Sequence, residues 1–196
     1  AVATASMAVV AAETGRVGTL PQDSAYSDSS ALDLLKKAAE RQEPESMYRL
    51  GVLCFEGQAV RRDLSLAADL FKRAAAKGYA PAQNAFGFML QNGLGVEKNE
   101  REAAAWYERA AGLGDPEAQN NLGWLYQEGR GVERSIDQAV AWYSKAAGAG
   151  NAVGAYHMGL LYETGAYGLR DGAPHRKAAL DWYRRAAEHG DAMAQY

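Results

Sequence analysis

The sequence predicts an all-α chain folded as a right-handed α-solenoid, a stack of antiparallel helical hairpins. Three observations carry that expectation. A residue pair ending in glycine recurs at Leu50-Gly51, Phe86-Gly87, Leu122-Gly123 and Met158-Gly159, 36 residues apart each time. A second glycine follows six positions later in every copy, at Gly57, Gly93, Gly129 and Gly165. Between these marks the apolar residues keep helical spacing. A fixed period of this length marks stacked supersecondary units, because one such unit cannot bury its apolar face alone.

Each copy reads as two helices. In the first helix, Asp115-Pro116 supplies a cap residue and a first-turn proline, and Glu43-Pro44 and Ala80-Pro81 repeat the proline. Gly51, Gly87, Gly123 and Gly159 then fall mid-helix, where glycine costs about 1 kcal/mol against alanine. That cost in four copies predicts another backbone passing close by. In the second helix an aromatic recurs at Phe71, Tyr107, Tyr143 and Tyr183, preceded by Leu70, Trp106, Trp142 and Trp182. Ala139, Trp142, Tyr143, Ala146 and Ala147 lie at i, i+3, i+4, i+7 and i+8, one face of a helix. The starts read Asn99-Glu100-Arg101-Glu102 and Ser135-Ile136-Asp137-Gln138, both capping-box patterns. The Ala-Ala pairs at 74–75, 110–111, 146–147 and 186–187 are expected to receive large aromatic side chains, and Gly78, Gly114, Gly150 and Gly190 close the helices.

Ala118-Gln119-Asn120-Asn121-Leu122-Gly123-Trp124-Leu125-Tyr126-Gln127-Glu128-Gly129-Arg130-Gly131-Val132, followed by Ala139-Val140-Ala141-Trp142-Tyr143-Ser144-Lys145-Ala146-Ala147, resembles the Sel1-like repeat. That family is a relative of the tetratricopeptide repeat with a slightly longer unit. The resemblance covers about residues 43–196. Copy 1 departs with Cys54 where copies 3 and 4 have Tyr126 and Tyr162, and with Leu70 for the tryptophan. Copy 4 carries four extra residues before Trp182.

The expected units are a degenerate capping hairpin at 1–42 with a loop at 16–30, then repeats at 43–79, 80–115, 116–151 and 152–191. Residues 192–196 match the start of a fifth first helix, which reads as a chain continuing beyond Tyr196. Ala31 to Glu40 align with Ala179 to Glu188, and Ala12-Glu13-Thr14-Gly15 with Tyr162-Glu163-Thr164-Gly165. Residues 1–15 therefore read as a degenerate first helix. A disordered leader and the remnant of an export signal are the open alternatives; they weight the compartment toward an exported, periplasmic one without fixing it.

A net charge of −3 and a pI near 5.7 argue against a surface built to neutralise nucleic-acid phosphates. No run of 18 apolar residues spans a membrane. The lone Cys54 reads as a buried small hydrophobe, and no Cys/His cluster has metal-ligand spacing. Gly93-Leu94-Gly95 and Gly129-Arg130-Gly131 join two helices rather than a strand and a helix, so they are not phosphate loops. His157, His175 and His189 occupy unrelated repeat positions. No catalytic residues, cofactor or metal are expected, and the chain is read as a non-enzyme.

The resemblance implies protein binding on the concave face, lined by first helices. With Leu50 and Cys54 pointing inward, positions equivalent to 45, 49, 52 and 56 point away, with 48 at the flank. Val52, Phe88, Trp124 and Leu160 form an apolar stripe there. Tyr48, Asn84, Asn120 and Tyr156 flank it, while Arg49, Asn121 and His157 sit at a variable position. A groove and inter-repeat packing are both open readings of the stripe. A second candidate is the copy-4 insertion at 166–175, with Tyr167, Arg170 and His175; a neutral surface loop is its alternative. The expected function is an adaptor or scaffold binding a peptide or protein, in bacterial signalling, envelope or cell-polarity assembly. The alternative is a regulatory or targeting domain of a larger enzyme or peptidoglycan-binding protein.

Overall fold

A computed structural model describes residues 29–57, 60–166 and 173–190. Within them lie nine helices and no strand: α1 Ser29–Glu40, α2 Pro44–Glu56, α3 Leu64–Ala76, α4 Ala80–Asn92, α5 Glu100–Gly112, α6 Pro116–Glu128, α7 Ile136–Gly148, α8 Ala152–Glu163 and α9 Ala173–Glu188. They pack as successive hairpins α2/α3, α4/α5, α6/α7 and α8/α9, with each second helix also against the next first helix. This is an α-solenoid. The expected first helix at 1–15 lies outside the described residues, and Ser29 and Ser30, expected in a loop, already belong to α1.

The capping signals act as the sequence suggests. Asn99 accepts from the Glu102 amide at 3.1 Å, Ser135 from Gln138 at 3.3 Å and Asp115 from Ala118 at 2.8 Å. Asp63 does the same for Leu66 at 2.9 Å. The loop inside each hairpin is pinned by one recurrent backbone bond. The amides of Asp63, Asn99 and Ser135 donate to the carbonyls of Cys54, Leu90 and Tyr126 at 2.8, 2.8 and 2.9 Å.

The mid-helix glycines make room chiefly for an aromatic ring, and at Gly87 also for the Ala103 carbonyl at 3.3 Å. A Cβ on Gly123 would stand 2.8 Å from the Tyr143 ring, and on Gly51 2.7 Å from Phe71; Gly87 and Gly159 meet Tyr107 and Tyr183 in the same way. The ring of the second helix thus lies flat on its own first helix. The Ala-Ala pairs seat a neighbouring helix. They receive the next first helix: Gly154 of α8 rests on Ala146 and Ala147 of α7, and Gln83 and Gln119 donate to the carbonyls of Ala75 and Ala111 at 3.2 Å. Two closer backbone contacts lie in the loops. Gly95 and Gly131, both at positive φ, lie against the backbones of Leu64 and Glu100, at the start of the preceding hairpin's second helix. A side chain there would be strained by φ and blocked by backbone.

The core runs continuously from Ala39 through Phe71, Phe86 and Tyr107 to Leu125. A second cluster gathers Ala139, Tyr143, Met158 and Leu161, with Trp124 and Tyr126 packed against both. Cys54 is buried, as expected from its helix face.

Candidate functional site

One apolar row of the first helices is partly exposed in all four repeats. In α4 every residue from Ala82 to Leu90 is buried except Phe88. Val52, Trp124 and Leu160 are likewise half-buried at their repeats' equivalent position. Val52, Phe88 and Trp124 press one side on the core and present the other outward. In α6 the residues Glu117, Asn121, Trp124 and Glu128 follow at i, i+4, i+7 and i+11, a single helix face.

Trp124 is held by a contact that sequence reasoning missed. The Arg130 guanidinium lies 4.9 Å from its ring centroid and pairs with Glu100 of the preceding hairpin, with Nε donating to Oε1 at 3.0 Å. Lys98 joins the same carboxylate at 2.9 Å. Arg130 first, then Lys98, holds the Glu100 carboxyl down to about 2, against a smaller opposing effect of burial.

The flank differs from its expected exposure. Tyr48, Asn84 and Asn120 are buried, because their position faces the joint between hairpins. Tyr48 sits between Phe71 and Tyr79, at 5.6 and 5.5 Å between ring centroids. Asn121 Nδ2 donates to Asn84 Oδ1 at 2.9 Å, so these two amides join α4 to α6. Asn120 Oδ1 is buried with no hydrogen-bond partner. Tyr156 is half-buried against Tyr183. His157 stacks on Tyr143 at 4.8 Å, and burial pushes its imidazole down to about 4, so it is neutral at pH 7. Arg49 is half-exposed and paired with Glu45 at 2.6 Å.

His175 is a correction. It was expected on an exposed loop, but α9 begins at Ala173 and buries it in the first turn. Tyr167 and Arg170 lie outside the described residues. A second concavity of about 480 Å³ opens between α3 and the start of α5, floored by Phe86, Leu90 and Val96. Its rim mixes Asp69, Glu97 and Glu102 with Lys72 and Lys98. Among the described residues no cluster of His, Cys, Asp and Glu could hold a metal ion. Burial raises the Cys54 thiol, so it is not an activated thiolate. No helix of the described residues is long and apolar enough to cross a membrane.

Hairpins of this length, stacked through alanine and glycine and closed by aromatic rings, define a tetratricopeptide-like α-solenoid. The Sel1 repeat family model matches residues 2–42, 44–79, 80–115, 116–151 and 152–191. The chain belongs to the Sel1 repeat family. Among solved structures it is similar to a Sel1 repeat protein from Oxalobacter formigenes, at 31% identity and a TM-score of 0.78, covering 95% of this chain and 71% of that one. It is also similar to c5321, described as a protective antigen of uropathogenic Escherichia coli with this fold, at 38% identity and a TM-score of 0.74. That match covers 83% of this chain and 34% of the E. coli chain, so the present chain spans about a third of it. The immunity protein Pa5087 of Pseudomonas aeruginosa matches at 26% identity and a TM-score of 0.57, covering 83% of this chain and 58% of that one. None of the curated proteins matches this chain. Sel1 repeats generally mediate protein–protein interaction and form non-catalytic scaffolds.

Proposed function

We propose that this chain is a non-catalytic docking scaffold whose first helices, on the concave face of the stack, bind a segment of another protein. One observation carries the reading. The row Val52, Phe88, Trp124 and Leu160 is apolar and half-buried in every repeat, and in α4 Phe88 is the one residue between Ala82 and Leu90 that is not buried. Aromatic side chains at such a position are the usual anchors of a protein interface. Asn121, Gln91 and Gln127 on the same helices are half-buried amides that can hydrogen-bond an extended backbone. The bacterial relatives, one described as a protective antigen and one as an immunity protein, support a bacterial setting in which the stack works through protein contacts.

A second reading is a targeting or regulatory segment within a longer protein. The observation favouring it is that the E. coli chain is about three times the length spanned here.

The test is a pull-down with wild type, Phe88→Asp and Trp124→Asp, each checked for helicity by circular dichroism. Both variants are expected to fold and to lose the partner. Retention of the partner by both folded variants sinks the groove. Unfolding of both assigns the row to the core instead.

A further inference from the structure

We propose that Arg130 is the positioning residue of the docking row: tied to Glu100 of the preceding hairpin, its guanidinium fixes the Trp124 indole in the orientation a partner meets. This deepens the docking reading above and rests on it. Each of the four tryptophans has a cation on its ring. Trp106, Trp142 and Trp182 take theirs from their own helix, from Arg109, Lys145 and Arg185 three residues on. Trp124 takes its cation from a loop, and that cation is anchored to a different hairpin. Arg130 Nε donates to Glu100 Oε1 at 3.0 Å, and Nη2 donates to the same oxygen. The backbone behind the side chain is fixed as well. The Arg130 amide donates to the Leu125 carbonyl at 3.0 Å, and Gly131 lies against the Glu100 backbone. A guanidinium held at both ends keeps its place, and the indole settles against it.

The preceding joint shows that an ion pair is not what this place in the fold requires. Gly95 meets the Leu64 backbone as Gly131 meets that of Glu100, and the equivalent side chains there are Leu64 and Leu94, both packed on the core. One joint thus uses two leucines where the next uses Glu100 and Arg130. At a partly buried site, with these two side chains 25% and 34% exposed, apolar residues are commonly as stabilising as an ion pair or more so. What a leucine does not supply is a planar cation for an aromatic face. The sequence joins the two features. Tryptophan stands in the row in the one copy that has arginine six residues later, whereas Val52 is followed by Gln58, Phe88 by Leu94 and Leu160 by Ala166. A large side chain already held in its bound orientation loses less freedom when a partner arrives, and that raises affinity.

The test uses the 196-residue chain labelled with fluorotryptophan and read by fluorine NMR, with Trp124→Phe assigning one of the four resonances. The decisive variant is Glu100→Leu/Arg130→Leu, which borrows the residues of the preceding joint. It is expected to melt at the wild-type temperature or above, while the Trp124 resonance shifts and broadens and the other three stay in place. The binding probe is a displayed library of random 12-residue peptides, selected on wild type and rejected on Trp124→Ala, then titrated by fluorescence anisotropy. The double-leucine variant is expected to weaken the selected peptides about tenfold. An unmoved Trp124 resonance, or undiminished peptide binding, overturns the positioning role and leaves the docking reading standing. A melting temperature well below wild type assigns the pair to the joint's own packing and overturns the role as well. A library yielding no Trp124-dependent peptide overturns the docking reading and this proposal together.

Discussion

Gly123 and Gly148 show how one substitution changes sign with its surroundings. Alanine in a helix interior is favoured over glycine by about 1 kcal/mol. At Gly148, the last residue of α7, an added Cβ meets nothing within 4 Å. At Gly123 it meets the Tyr143 ring at 2.8 Å. That ring is fully buried and tethered by its hydroxyl, which donates to Gln127 Oε1 at 3.2 Å, so it cannot swing away. Overpacking of this kind costs about 1–3 kcal/mol and outweighs the propensity gain. In urea titrations, Gly148→Ala is expected to raise stability by up to about 1 kcal/mol and Gly123→Ala to lower it by about 2 kcal/mol. Equal shifts in the two variants contradict the ring-on-helix packing. The tether went unread in the sequence, although its pattern is there. Tyr107 donates to Gln91 at 2.8 Å and Tyr183 to Glu163, whereas Phe71, which has no hydroxyl, faces the repeat whose equivalent residue is Phe55. The two positions change together from copy to copy.

At the scale of elements, the helices and their stops could be read from the sequence because their causes are local. Asn99, Asp115 and Ser135 cap within three residues of themselves. The joints could not, because their partners lie a repeat or more away. Asn84 and Asn120 were placed on an open flank by helix geometry alone, yet the neighbouring hairpin covers them. Nothing local marks Arg130 as the partner of Glu100, thirty residues earlier. That pair clamps the loop after α6 to the start of α5, and Glu100 also stands in the favourable first turn of its helix. Its folded carboxyl titrates near 2, below the ordinary value of about 4.3. The contribution is therefore present above pH 4.3 and is lost as pH falls through about 2. Glu100→Gln is expected to cost about 1 kcal/mol at pH 7, less in 1 M NaCl, and almost nothing at pH 2. A cost that stays constant across this pH range would assign the loss to packing instead of charge.

Across the whole molecule, stability in a stack is a sum over hairpins and the joints between neighbours, so each joint can open separately. The α4–α6 joint is satisfied by the Asn121–Asn84 pair. One repeat later the equivalent positions are His157 and Asn120, and that pair is not made. The histidine stacks on Tyr143, and Asn120 Oδ1 stays buried without a partner. The α6–α8 joint has other ties, including Asn151 on Glu117 at 2.7 Å, but it buries the His157 imidazole. The sign follows from burial. The ordinary imidazole takes its proton near 6.5, and His157 in the fold does so near 4. Above pH 6.5 the two states bind no proton differently. Between 6.5 and 4 the opened state gains one and is favoured, and below 4 the difference is constant. Moving from pH 7 to pH 4.5 should thus ease opening of the fourth hairpin by about 2 kcal/mol. Hydrogen exchange read by mass spectrometry, corrected for the intrinsic pH effect, is expected to show about 30-fold lower protection across 152–188 at pH 4.5. Protection across 80–112 should change much less, and His157→Gln should remove the difference between the two regions. If α4–α5 and α8–α9 lose protection equally, the chain opens as one cooperative unit and the joints are not independent.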